Sequence, residues 1–130
     1  MASLTVVSGP NENSYIPLGR RVTVIGRDEA VMVQIKDELV SRRHCQIRFD
    51  PAKGDGDEGT YVLLDMKSAN GTYVNGRKVD EVPLEDDDVI EIGESKLMFS
   101  TRDFEDRENA LNHFKARGER AKGTILRPGS

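Results

Sequence analysis

Turn-forming residues cut this chain into short pieces, and that limits what it can fold into. Runs rich in β-branched, aromatic and other apolar residues fall at 4–7, 15–18, 21–25, 31–35, 44–49, 60–64, 71–74, 77–79, 89–92 and 96–99. Between them stand Gly9-Pro10, Gly26, the polar stretch 50–59, Asn75-Gly76 and Gly93-Glu94-Ser95. No segment before residue 100 repeats its apolar residues at helical spacing. Many short strands with closely spaced turns predict an all-β fold, an antiparallel β-sandwich. Pro17 makes the run at 15–18 an edge or irregular strand, because proline cannot donate to a ladder. Asn75-Gly76 predicts a tight hairpin of type I′, since both residues tolerate positive φ.

The composition shifts after Phe99. Residues 101–122 are rich in Glu, Arg, Lys and Ala, and Phe104, Leu111 and Phe114 lie seven and three apart. That is one narrow helical stripe, with Asp103 as N-cap and Gly118 as stop. A stripe this thin holds a free helix poorly, so docking on the sandwich is favoured over a partner-binding or dimer helix. The chain is therefore divided into a sandwich at 1–100, a C-terminal α-helical segment at 101–122 and a flexible tail at 123–130. At 130 residues there is room for one domain plus a tail.

Totals exclude several classes. A net charge of −4 and a pI near 5.2 argue against general nucleic-acid binding, which needs a strongly basic face. The single cysteine, Cys45, rules out an internal disulfide framework and suits a reducing compartment. No apolar run approaches the roughly 18 residues that span a bilayer. The first residues lack the basic-then-apolar pattern of a signal peptide. A cytoplasmic protein without membrane or nucleic-acid partners is expected.

The chemistry concentrates in separated pieces. Ser41-Arg42-Arg43-His44 opens a strand, Gly26-Arg27 ends one, and Ser68-Ala69-Asn70-Gly71-Thr72 lies between two others. Ser-Arg-Arg alone is most often a solvated turn. In a sandwich, however, loops cluster at the ends, so these pieces can meet at one rim. They would bring a guanidinium fork, a hydroxyl, a second cation and a side-chain amide. Arginine's planar fork fits phosphate, a serine adds a short neutral donor, and an amide suits a peptide backbone.

Gly26-Arg27, Ser41-x-x-His44, Asn70-Gly71 and Asn75-Gly76, in this order and spacing, resemble the signature of forkhead-associated (FHA) domains across residues 4–100. The resemblance implies an FHA-like sandwich of about eleven strands that binds phosphothreonine peptides and needs neither cofactor nor metal. It implies that Arg27 and Ser41 hold the phosphate. Arg42 stands at a variable, often basic position that also reaches it. Asn70 would bond the peptide backbone, and His44 would brace the loops from behind. Gly26 and Gly71 would serve backbone shape. Two positions depart from the pattern. Ala69 stands where several members have a phosphate-touching Thr or Ser, a loss Ser68 would make good. Asp87-Asp88 replaces a common Gly-Asp, a turn that Asp survives because it tolerates positive φ. Alternation turns Arg43 outward. Leu39, with Asp37 and Glu38 beside it, falls where the family reads the third residue after the phosphothreonine. An apolar side chain is the first expectation there and a basic one the second.

The implied partners are a phosphothreonine-containing protein or peptide and a Ser/Thr kinase or its substrate. Two rival readings are weighed against this. An enzyme is not expected, because adjacent His44 and Cys45 on a strand point to opposite faces and cannot pair. His113 and the acidic runs Glu85-Asp86-Asp87-Asp88 and Asp55, Asp57, Glu58 read as solvated surface, without the ligand spacing of a calcium loop. The other rival is a scaffold or oligomerisation protein, a homodimer among its forms, acting through the C-terminal helix. Its phosphate pocket would be secondary or self-inhibited by a phosphorylated Thr124 tail.

Overall fold

A computed structural model of the chain describes residues 2–51 and 59–101. The helix expected at 101–122, the tail at 123–130 with Thr124, His113, and most of the polar loop at 50–59 lie outside the described residues. Within them the fold is all-β, with no helix.

Among the described residues eleven strands form two sheets. The larger holds β1 (Ser3–Ser8), β2 (Tyr15–Pro17), β7 (Thr72–Val74), β8 (Arg77–Val79), β10 (Val89–Ile92) and β11 (Ser95–Ser100), ordered β2-β1-β11-β10-β7-β8. The smaller holds β3 (Thr23–Gly26), β4 (Val33–Gln34), β5 (Cys45–Asp50), β6 (Thr60–Asp65) and β9 (Glu81–Pro83), ordered β4-β3-β5-β6-β9. All pairs are antiparallel except the short β3–β4 pair, which is parallel. Leu4, Val6, Ile25, Ile47, Leu63, Ile90, Ile92, Leu97 and Phe99 alternate inward from both sheets and fill the space between them.

The strand at Glu81–Pro83 has no counterpart among the expected runs. It pairs β6 at the sheet edge, with Pro83 opposite Val62, and edges tolerate a residue that cannot donate. The expected strand at 31–35 shrinks to two residues. Val31 closes a turn onto the Asp28 carbonyl, and the Ile35 amide already bonds Gly26. Asn75 (φ 51°) and Gly76 (φ 84°) join β7 to β8 through a two-residue turn with both φ positive. Asp87 holds a φ of 68°, the left-handed turn that a glycine would otherwise supply.

Candidate functional site

Three connections meet at one end of the sandwich: the β3–β4 loop, the β4–β5 loop, and the β6–β7 loop that crosses from one sheet to the other. The first two are joined like a strand pair. The Arg27 amide donates to the Ser41 carbonyl at 3.0 Å and the Asp28 amide to the Arg42 carbonyl at 3.1 Å. So close an approach needs glycine at position 26. A Cβ there would lie 2.1 Å from the Arg42 carbonyl oxygen.

The third loop is tied to the second by side chains. The Ala69 amide donates to Ser41 Oγ at 2.9 Å. With that lone pair used, the hydroxyl's own hydrogen points elsewhere as a donor. Asn70 Nδ2 donates to the Leu39 carbonyl at 2.9 Å, which uses one N–H of an amide that carries two and an acceptor oxygen. Arg27 Nε donates to the Val40 carbonyl at 3.1 Å. That bond anchors the guanidinium by its inner nitrogen and does not use the two terminal nitrogens of this exposed residue. Arg27, Ser41 and Asn70 thus converge on one rim.

His44 lies beneath this rim, fully buried. Its Nδ1 accepts the Ser41 amide at 3.0 Å, and Nε2 meets the Gly71 carbonyl at 2.7 Å. An N–H donor into Nδ1 requires that nitrogen to be bare, so the ring is the Nε2–H tautomer and Nε2 donates. One neutral imidazole therefore couples the loop carrying Ser41 to the loop carrying Asn70. Gly71 turns there with a φ of 86°. Cys45, next in sequence, is buried in the core, and burial pushes its thiol up to about 12. It is no thiolate near neutrality, which removes the chain's one soft nucleophile.

Two carboxylates complete the frame: Asp65, which the sequence did not single out, and Asp37, noted there only as a neighbour of Leu39. Asp65 accepts from the Ser68 amide and hydroxyl and from Thr72 Oγ1. Burial alone would raise its pKa, but these bonds hold it below the ordinary value. The Ser68 hydroxyl also accepts the Gly71 amide at 3.0 Å. Its hydrogen is spent on Asp65, so it does not replace the donor that Ala69 lacks. Asp37 is buried, and its carboxylate accepts from the Leu39 and Glu94 amides and from Ser95 Oγ. Burial opposes its ionisation, yet the bonds from Leu39, Ser95 and Glu94 draw its pKa down. It pins the β4–β5 loop to the β10–β11 turn. Asp followed two or three residues later by a donor is an Asx-turn pattern. It is too common in loops to single out from sequence.

Around the rim, Arg42 is exposed and only loosely paired, its Nη2 3.9 Å from Asp28 Oδ2. Arg43 is exposed beside it. Leu39 is 47% exposed at the edge of a groove of about 400 Å³, lined with Pro10, Lys36, Asp37, Glu38 and Glu94. The groove adjoins the Leu39 carbonyl held by Asn70, so a chain lying along the rim would run over it. Among the described residues no cluster of His, Cys, Asp or Glu is arranged to hold a metal ion.

The profile of the FHA domain matches residues 23–93. The chain is 36% identical over 100 residues to the glycogen accumulation regulator GarA of Mycolicibacterium smegmatis, covering 77% of this chain and 59% of that protein. It is 37% identical over 98 residues to the oxoglutarate dehydrogenase inhibitor of Corynebacterium jeikeium, covering 75% and 63%. The chain spans about three fifths of the length of these relatives. Among solved structures, the FhaA FHA domain complexed with the intracellular domain of Rv3910 is similar at 33% identity and a TM-score of 0.64. That match covers 76% of this chain and 99% of the other. A domain solved in a structural and functional analysis of phosphothreonine-dependent FHA domain interactions matches at 32% identity and a TM-score of 0.66. It covers 79% of this chain and 98% of that one.

Proposed function

The chain belongs to the forkhead-associated domain family, and on that premise we propose that it is a phosphothreonine-dependent protein-binding adaptor in Ser/Thr kinase signalling. Its partner is a protein or peptide carrying phosphothreonine, the product of a Ser/Thr kinase. Arg27 and Ser41 hold the phosphate, Arg42 swings from Asp28 to join them, and Asn70 bonds the peptide backbone. His44, Gly26 and Gly71 keep the loops in register.

One observation supports this reading: Arg27, Ser41 and Asn70, from three connections, are each tied to neighbouring loops by a hydrogen bond at one rim. The Ser41 oxygen is occupied by the Ala69 amide, and Arg27 Nε by the Val40 carbonyl. The donors are thus held ready for an anion without reorganisation. A phosphate near −2 supplies the acceptors. Charge-assisted bonds contribute roughly 1.5–3 kcal/mol each. Several of them, less the cost of ordering a flexible peptide, correspond to affinity on the order of micromolar.

The groove beside Leu39 selects a basic side chain with an aliphatic stem. The stem lies on Leu39 and Pro10, and the charged head sits between Glu38 and Glu94, which outnumber the one lysine there, Lys36. This reverses the order of preference expected from Leu39 alone.

Titration with matched phosphothreonine, phosphoserine and unmodified peptides, each with Arg, Leu or Asp three residues after the modified position, tests both statements. Binding should require phosphate and rank Arg above Leu above Asp. Equal affinity for bare and phosphorylated peptides defeats the adaptor reading. Preference for Asp defeats the groove assignment alone.

A further inference from the structure

The larger sheet has an outer face that the phosphate rim does not use. Leu4 and Val6 of β1 enter the core, so Ser3, Thr5 and Val7 stand on the opposite side. The register extends this face across the neighbours. Thr5 pairs with Tyr15 and Met98, Met98 pairs with Val89, and Ser3 pairs with Pro17 and Ser100. In a two-sheet sandwich such a face normally meets water.

Here it does not. Ser3, Thr5 and Ser100 are 0% exposed and Met98 is 7% exposed. Met98 gathers Val7, Tyr15 and Val89 into an apolar cluster separate from the core. Ser3 Oγ and Thr5 Oγ1 are buried without a hydrogen-bond partner. An open face would leave both hydroxyls to water, and burying them dry carries a cost. Tyr15 and Met98 are large enough to lean over Thr5. Ser3 and Ser100, by contrast, face each other beside Pro17, with too little side chain of their own to close the surface. All the described strands belong to the two sheets, and none crosses this face.

We propose that the outer face of the larger sheet is a docking surface for the chain's own segment 102–122. This inference does not rest on the phosphate site: of the strands that bound the rim loops, β3, β4, β5 and β6 belong to the other sheet, and β7 lies outside the row β2-β1-β11-β10 of this one. Three facts favour this occupant. The segment follows directly from β11, a central strand of the same sheet, and Thr101 is held at the exit by its amide and hydroxyl donating to Asp86. Its large apolar residues, Phe104, Leu111 and Phe114, fall at a spacing that on a helix would give a strip as narrow as the one on the sheet. The lengths also agree. From Phe104 to Phe114 a helix rises about 15 Å at 1.5 Å per residue. The row Tyr15–Thr5–Met98–Val89 crosses four strands, about 14 Å at 4.8 Å per step.

The test uses the full chain with methyl-labelled methionines and a nitroxide on Asn109→Cys, a position off the apolar stripe. The thiol of Cys45 is buried and does not compete for the label. The Met98 methyl signal should be broadened away while those of Met32 and Met66, on the loops at the rim end, persist. An unchanged Met98 signal overturns the proposal. So does broadening in a mixture of spin-labelled, isotope-free chain with isotope-labelled, label-free chain, because the occupant is then a second copy. As a second variant, Met98→Lys should speed tryptic cleavage within 102–122 at least tenfold, with the phosphopeptide Kd changed less than twofold. Cleavage at the wild-type rate, in a variant that retains its strand signal by circular dichroism, also overturns it.

Discussion

At the scale of single residues, the rim divides each side chain into a part that builds the protein and a part that faces out. Arg27 uses Nε for Val40 and keeps its terminal nitrogens, while Ser41 uses its oxygen for Ala69 and keeps its hydrogen. A lysine at 27 has no inner nitrogen for Val40 and no planar fork. Arg27→Lys should therefore lose nearly as much phosphopeptide affinity as Arg27→Ala, each more than tenfold by isothermal titration. On the proposed reading Ser41→Ala removes a phosphate donor, and it leaves the Ala69 amide without its partner. A weakening of about 10–100-fold is expected for the phosphorylated peptide, from the worth of a charge-assisted bond. Binding of the unmodified peptide should not change. Ser41→Thr, which keeps the hydroxyl, should recover much of the loss.

At the scale of elements, close approach and buried carboxylates position the loops. Gly26→Ala drives a methyl to 2.1 Å from the Arg42 carbonyl, and backbone must move to admit it. Overpacking of this kind costs about 1–3 kcal/mol. A lower denaturation midpoint and loss of phosphopeptide binding should appear together, because the displaced loop carries Ser41. Acid should act on the same frame. Asp37 and Asp65 both ionise more readily in the folded protein than at their ordinary value of 3.8. The unfolded chain therefore takes up protons before the folded one. Their stabilisation is complete above the unfolded value and is lost as pH falls from about 4 through the lower folded values. Urea melts between pH 2 and 6 should show the midpoint falling in that window. Asp65→Asn should flatten the fall while lowering stability at pH 7.

At the scale of the whole molecule, a small cationic rim sits on a body of net charge −4. For the proposed phosphopeptide, long-range repulsion by the body and short-range attraction by Arg27 and Arg42 would oppose each other, and salt screens both. Association should consequently change little between low and physiological salt, while dissociation speeds up. Stopped-flow rates at several salt concentrations separate the two. An association rate that falls steeply with salt would mean the body's charge does not matter.

Much of this was legible along the chain. Alternation and turn residues are local quantities. They were enough for the all-β sandwich, for the Asn75-Gly76 turn, and for an Asp87 that takes a glycine's conformation. The spaced Gly26-Arg27, Ser41-x-x-His44 and Asn70-Gly71 pieces named the residues of the rim for the same reason, since residue type carries their chemistry. The edge strand at Glu81–Pro83 was not legible, because it exists only through its pairing with β6. Nor was the commitment of Ser68 to Asp65, the bracing of the β4–β5 loop by Asp37, or the burial of Ser3 and Thr5 on the outer face. Each depends on which partner reaches a group across long stretches of chain. A hydroxyl or carboxylate looks the same in sequence whether it faces water, a ligand or another loop. The linear order of residues settled the fold class and the chemistry on offer. Packing alone determined which donors were used up inside the molecule and which were left to face outward.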